Sequence, residues 1–435
     1  MKSQTFFEYD FAKDQDGKKL ELDSIFENED AKKFELFLEK NKLTKVFNIT
    51  QTSIQAQNYV GVIKYKNYQF EILPKLLGKN EEDRDTILKN LFYMLSYTKQ
   101  LDIKDNDVAK LSKTENPFLE VLIGIFASSL LDSLLRFIPK NYVLQEDNLK
   151  YLKGKLNFTE NTKKNIINKA CFYCEYDEFS EDNLLNQLFY YVCLMLSQLT
   201  KTDENKRTLK QILNIYSEIS FVQITKEKIR NLKLFRSQKS FEKSFNLAKM
   251  FIENSSVEIS SKKFKTISLM WDMNLLFEEF IYQYLRKNQH KVPEISKIRY
   301  QNNEKLVKKS VNLLEETNHK RSFKNTYTDI LIELYDGRLI ILDTKWKLND
   351  GNKNEFKNAD IYQLLAYKEI HNRLNENQQI YPVLAYPLTK EDFAWQHEVD
   401  EGKEVLLTCF DLRTNLKENS EIIIKRINEI ISWIK

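Results

Sequence analysis

Between Tyr327 and Trp346 the chain reads Tyr-Thr-Asp-Ile-Leu-Ile-Glu-Leu-Tyr-Asp-Gly-Arg-Leu-Ile-Ile-Leu-Asp-Thr-Lys-Trp. Two apolar runs flank Asp336-Gly337, and Asp-Gly between such runs specifies a tight hairpin. That turn places Asp329 opposite Asp343, each seven residues from Asp336. Asp343 and Lys345 are two apart, so on a strand they point to the same face. Charged groups on a strand otherwise made of Ile and Leu are expensive to bury without partners. The hairpin therefore predicts a cluster of two aspartates and a lysine.

Read plainly, Asp-x-Lys is an edge strand with solvated charges and one buried ion pair. Three features favour chemistry instead. A second Asp lies on the partner strand, and a helix bearing Glu278 precedes the hairpin. A helix carrying Gln363 and Tyr367, four apart and so on one face, follows it. Two close carboxylates repel unless a cation lies between them, and Mg²⁺ favours one or two carboxylates with waters and phosphate oxygens. Such an ion polarises a phosphate and acidifies a bound water, while a neighbouring lysine steadies the developing charge. The combination suits hydrolysis of a phosphodiester.

A chain of 435 residues exceeds one hydrophobic core. Its character changes twice, which predicts a β-rich domain over 1–112, a helical middle region over 113–260 and an α/β domain over 261–435, α+β overall. In the first, Tyr59 to Leu73 forms two strand-like runs around Lys66-Asn67, stopped by Pro74, before a helix with Leu91, Met94 and Leu95. In the middle, Phe118 to Ile138 and Asn183 to Leu199 carry helical spacing, and Lys201 to Lys210 reads as a loop or exposed helix end. The last third predicts a helix over 269–285, strands at 296–300, 327–334, 338–346, 381–386 and 404–410, and helices over 360–373 and 420–433.

Composition narrows the functional classes. A net charge of +4 permits nucleic-acid binding without arguing for it. Phe118 to Ile138, the most apolar stretch, contains Glu120, Asp132 and Arg136, which predicts a buried helix and no membrane span. No apolar run follows the basic start, so a cytoplasmic protein is expected. Cys171 and Cys174 have metal-site spacing but no second pair completes four ligands, so reduced thiols on a buried strand are expected.

The order of elements around the hairpin resembles the PD-(D/E)xK nuclease superfamily, and the Gln-x-x-x-Tyr helix is similar to its RecB-like branch. The resemblance implies that Asp329 and Asp343 are metal ligands and Lys345 the catalytic lysine. Glu278, preferred over Glu279, matches the acidic residue of the first core helix, and Gln363 and Tyr367 help to place the DNA backbone or metal-bound water. Thr328 stands where that family commonly has Pro. Further motifs resemble McrC proteins: Tyr59-Val-Gly-Val-Ile63, Phe70-Glu-Ile-Leu-Pro-Lys75, Leu91-Phe-Tyr-Met-Leu-Ser-Tyr97, Leu152-Lys-Gly-Lys-Leu156, Asp182-Asn-Leu-Leu-Asn-Gln187, Asp272-Met-Asn-Leu-Leu-Phe-Glu278 and Asp360-Ile-Tyr-Gln-Leu-Leu-Ala-Tyr367.

That resemblance implies a Mg²⁺-dependent endonuclease subunit, with Mn²⁺ a possible substitute, of a modification-dependent restriction system cutting double-stranded DNA. It also implies an AAA+ GTPase ring partner of the McrB type, docked by the amino-terminal domain. The chain itself has no Gly-x-x-x-x-Gly-Lys-Ser/Thr loop, which fits a separate motor. Cutting two strands calls for two sites, so dimerisation is expected in the working complex. Two alternatives are a free-standing RecB-like exonuclease or repair nuclease, and an inert activator of a ring NTPase. The amino-terminal motifs weigh against the first and the complete Asp329, Asp343, Lys345 set against the second.

Overall fold

The computed structural model describes residues 2–13, 17–27, 29–75, 84–98, 117–258, 263–305, 310–312, 317–319, 325–347, 358–374, 378–388, 391–400, 403–419 and 421–434. The protein is a mixed α/β chain with several sheets. It forms two compact units: residues 1–112 together with 269–435, and residues 113–268.

The first unit begins with strand β1 (Lys2–Phe7), helices α1 (Leu22–Ile25) and α2 (Asp30–Lys40), and the short ladder β2 (Phe47–Ile49) and β3 (Ile54–Ala56). The expected hairpin follows as β4 (Tyr59–Tyr65) and β5 (Tyr68–Leu73), paired in register from Gly61↔Ile72 to Tyr65↔Tyr68. Its turn places the positive φ on Lys66, at 51°. β1 lies parallel to β5. Phe6, Phe26, Phe34, Phe47, Tyr65 and Phe70 fill the core beneath this sheet. Helix α3 (Arg84–Tyr97) then buries Leu91, Met94 and Leu95 as its spacing predicts.

The second unit starts with α4 (Pro117–Leu134), which opens on a proline where the missing N–H is harmless. It continues through strands β6 (Asn141–Leu149) and β7 (Lys155–Leu156), helix α5 (Phe158–Lys164) and strand β8 (Phe172–Ser180). These strands form a sheet in the order β6-β8-β7, so this region is less purely helical than its sequence predicts. Most side chains of β6 are exposed or half-buried, and a strand without a buried face leaves little hydrophobic periodicity to read. Cys174 is buried on β8, whereas Cys171 precedes the strand and is half-buried.

Helix α6 (Leu184–Leu199) follows, capped where Asn183 Oδ1 accepts from Leu185 N at 3.1 Å and Asn186 N at 3.2 Å. Lys201 to Lys210 is largely helical, because α7 (Asp203–Ile215) buries Asn205, Leu209 and Ile212 among otherwise charged residues. Helices α8 (Lys226–Arg230) and α9 (Glu242–Glu253), then strand β9 (Ser255–Glu258) paired with the start of β10 (Lys263–Asp272), complete the unit.

From Leu269 the chain returns to the first unit. Leu269 to Asp272 is the end of β10 beside β4, not the start of a helix as expected. Apolar runs that short do not distinguish strand from helix. Gly61, at φ 133°, is required here, because a Cβ on it would sit 2.0 Å from Leu269 O. Helix α10 (Met273–Lys287) starts at the Asp272 cap.

The second sheet of this unit has the order β11-β14-β15-β16-β18-β17. Its strands are β11 (Ile295–Lys305), β14 (Asn325–Leu334), β15 (Leu339–Thr344), β16 (Ile380–Pro387), β17 (Ala394–Asp400) and β18 (Lys403–Phe410). The short strands β12 (Ser310–Asn312) and β13 (Thr317–His319) pair separately. β14 and β15 are antiparallel across the Asp336-Gly337 turn, with Gly337 at φ 92°. Helix α11 (Asn358–Leu374) crosses from β15 to β16, which are parallel. Leu364 and Tyr367 of α11 pack on Leu331, Leu339, Ile341 and Leu384. Helices α12 (Leu416–Asn419) and α13 (Glu421–Trp433) close the chain. Among the described residues, no helix is long and apolar enough to cross a membrane.

Candidate active site

The β14–β15 register pairs Ile330 with Leu342, which carries Asp329 and Asp343 to facing positions one step further on. Asp343 continues the row of Leu339 and Ile341, and its side chain is fully buried. Lys345, just past the end of β15, reaches back with Nζ 3.1 Å from Asp343 Oδ1 and 2.8 Å from Oδ2. Oδ1 accepts from Lys345, and Oδ2 keeps its ion pair with the ammonium but, among the described residues, no hydrogen bond. Asp329 Oδ2 accepts from Thr344 N at 3.3 Å. The two aspartates are close enough for a proton on one to bridge to the other. The three residues expected to cluster do so at the carboxyl end of β15, where ligands collect in parallel sheets.

Burial, then the charges of Asp343 and Glu278, push Asp329 up to about 9 against the pull of Lys345. Burial draws Lys345 down, but Asp343 and Asp329 outweigh it and hold the ammonium above its usual range. Glu278, buried on α10, is likewise raised, mainly by burial. Gln301 Nε2 donates to Glu278 Oε1 at 3.2 Å, and with Tyr300 it opposes that shift. Three acidic groups thus crowd one ammonium, and their mutual repulsion adds to burial, the larger cause, in raising Asp329 and Glu278.

Glu278 feels Asp343 and Lys345 through space, and it accepts a hydrogen bond from Gln301. Among the described residues, no three Asp, Glu, His or Cys are arranged as a formed metal site. Gln363 Nε2 donates to Tyr367 Oη at 2.5 Å on α11, with Gln363 exposed and Tyr367 packed in the core. Beside Asp329, Thr328 Oγ1 lies 3.1 Å from His371 Nε2, so Thr at that position ties the strand to α11.

Sequence reasoning missed Gln301, Tyr300, and two supports of the Lys345 segment. Lys347 Nζ pairs with Asp360 Oδ2 at 2.5 Å, joining the end of β15 to the start of α11. Trp346 Nε1 donates to both oxygens of Glu8, at 3.1 and 2.9 Å. Gln301 carries a positive φ of 46°, a local oddity that sequence does not announce.

The site thus combines a mixed sheet, a half-buried and a buried aspartate on facing strands, and a lysine at one strand end. The family described as McrBC 5-methylcytosine restriction system component matches residues 54–387, and this chain belongs to it. A solved structure from Thermococcus gammatolerans, the refined half-complex of a tetradecameric assembly of McrB AAA+ hexamers with bound McrC, matches with a TM-score of 0.71 and 20% identity over 98% of this chain and 100% of that one. The cryo-EM structure of the Thermococcus gammatolerans McrBC complex matches with a TM-score of 0.52 and 25% identity, covering 66% and 88% of the two chains. No curated protein matches.

Proposed function

We propose that this chain is the McrC-type nuclease subunit of a modification-dependent restriction system, a metal-dependent deoxyribonuclease cutting double-stranded DNA in the cytoplasm. The observation that carries the reading is the crowding of Asp329, Asp343 and Glu278 around the Lys345 ammonium, which pairs with the fully buried Asp343. Asp329 holds its proton up to about 9 there. Buried acid in excess of its counter-charge is costly, and a further cation would offset it. Two carboxylates of this kind fit a divalent cation.

Asp329 and Asp343 would hold Mg²⁺, or Mn²⁺ in its place, with Glu278 as a third ligand once a cation draws it in. When bound, the ion supplies Lewis-acid polarisation of the phosphate and an acidified water. Lys345, kept charged by its aspartates, places a fixed positive charge where negative charge gathers in the transition state. Gln363 and Tyr367 orient the DNA backbone or a water from α11. Residues 1–112 form the domain that docks on an AAA+ GTPase ring like the McrB hexamers of the Thermococcus gammatolerans assembly. Residues 113–260 and 261–435 supply the middle region and the PD-(D/E)xK core. Two copies meet in the working complex so that both strands are cut.

The test is cleavage of methylated plasmid by the full chain with and without an McrB-type ring, GTP and Mg²⁺. Lys345→Ala is expected to lower the cutting rate by roughly 10²–10³-fold, the usual effect of removing one electrostatic stabiliser. Cutting that persists in Lys345→Ala, or without any divalent metal, refutes the site assignment.

A further inference from the structure

Glu8 directly follows β1, far from the hairpin in sequence, yet it is 1% exposed and tied to the segment that carries Lys345. Glu8 N donates to Leu73 O at 3.0 Å, and Lys75 N donates to Glu8 Oε2 at 3.2 Å, so the carboxyl group is fixed to the β1–β5 edge. Both its oxygens accept from Trp346 Nε1. The Trp346 indole, 1% exposed, packs edge-on against Phe277 at 5.4 Å between centroids. Trp346 is thus the covalent neighbour of Lys345 and touches the covalent neighbour of Glu278.

A second tie runs beside the first. Asn58 Nδ2 donates to Asp272 Oδ1 at 3.1 Å, Met273 N donates to Asn58 O at 3.0 Å, and Asp272 caps α10. The amino-terminal sheet therefore grips both the end of β15 and the start of the Glu278 helix.

We propose that Glu8, acting through Trp346, is a positioning residue that sets where Lys345 and Glu278 sit relative to Asp329 and Asp343. The assignment rests on the nuclease reading above. What it adds is that an amino-terminal strand, remote in sequence, governs how well the hairpin cuts. Burial raises the Glu8 carboxyl to about 8, so near neutrality it acts as a neutral acceptor and an amide can replace it.

The test compares Glu8→Gln, Glu8→Ala and Trp346→Phe in the full chain with its McrB-type ring. The readouts are single-turnover cleavage, the Mg²⁺ concentration for half-maximal rate, DNA affinity and the melting curve. Gln keeps an oxygen acceptor for the indole N–H, so Glu8→Gln is expected within roughly twofold of wild type, whereas Glu8→Ala and Trp346→Phe are expected to cut roughly tenfold or more slowly and to need more Mg²⁺, since small displacements of reacting groups have large effects on rate. DNA affinity should stay put. The proposal fails if Glu8→Ala and Trp346→Phe cut like wild type. It also fails if Glu8→Gln falls as far as Glu8→Ala, or if cleavage, Mg²⁺ response and DNA affinity all worsen together with the melting temperature. A wild-type chain that does not cut at all removes the nuclease reading instead, and the wild-type arm shows this directly.

Discussion

Replacing Asp329 by Asn is expected to stabilise the metal-free protein while abolishing cleavage. Asn has nearly the same shape and can still accept from Thr344 N. What it removes is a proton equilibrium. In the unfolded chain an aspartate releases its proton near 3.9, but in the fold Asp329 keeps it up to about 9. Between those values the folded state binds the proton and the unfolded state does not, so wild-type stability falls as pH rises through that window. Each pH unit is worth about 1.4 kcal/mol, which sets a ceiling of about 4 kcal/mol at pH 7. Asp343, Glu278 and Lys345 rearrange their own protons in response, and Asp329 is only half-buried. A gain of about 1–2 kcal/mol for Asp329→Asn is therefore the expected result. Urea unfolding in EDTA at pH 6, 7 and 8 measures it, and the gap between variant and wild type should widen with pH. Adding Mg²⁺ should stabilise wild type, as any ligand selective for the folded state does, and leave the variant unmoved. A variant less stable than wild type at pH 8 in EDTA, a gap independent of pH, or undiminished cleavage would each refute the reasoning.

Two structural predictions accompany this one and those on Lys345 and Glu8. Gly61→Ala puts a methyl group against Leu269 O at a φ of 133° and should destabilise the first unit by roughly 3 kcal/mol or more, read as a lowered unfolding midpoint. In the second unit, buried Glu120 accepts from Thr200 Oγ1 (2.6 Å), Lys201 N (2.6 Å), Thr202 Oγ1 (2.9 Å) and Asn205 Nδ2 (2.8 Å). Glu120→Ala leaves those donors without their acceptor and should destabilise the unit by about 2–4 kcal/mol, with faster hydrogen exchange at 200–205.

The hairpin was legible because everything that defines it is local: the Asp-Gly turn, a period of two, and charged residues at fixed offsets. The pairing of β4 with β5, the presence of α3 and the extents of α6 and α11 were legible for similar reasons. Leu269 to Asp272 misled because a short apolar run fits both strand and helix, although Asp272 is a serviceable helix cap. β17 passed unnoticed, and so did β1 and α2 within the first fifty residues. At the site, Asp329, Asp343 and Lys345 could be placed together from turn geometry alone. The Gln301 bond to Glu278 and the Glu8 bond to Trp346 could not, because they depend on how distant segments pack, and neither residue carries a local signal of its partner.

The first unit is built from both ends of the chain, with residues 113–268 inserted between its halves. During synthesis β10 can therefore join β4 in the amino-terminal sheet only after the whole insertion is made, on the order of ten to thirty seconds later at ordinary elongation rates. The insertion is contiguous and is free to fold first. Glu8 meets Trp346 only after Trp346 has left the ribosome, so a chain terminated before that point carries no assembled carboxylate cluster. For a protein proposed to cut DNA, late assembly means that only nearly complete chains carry the capacity to do damage.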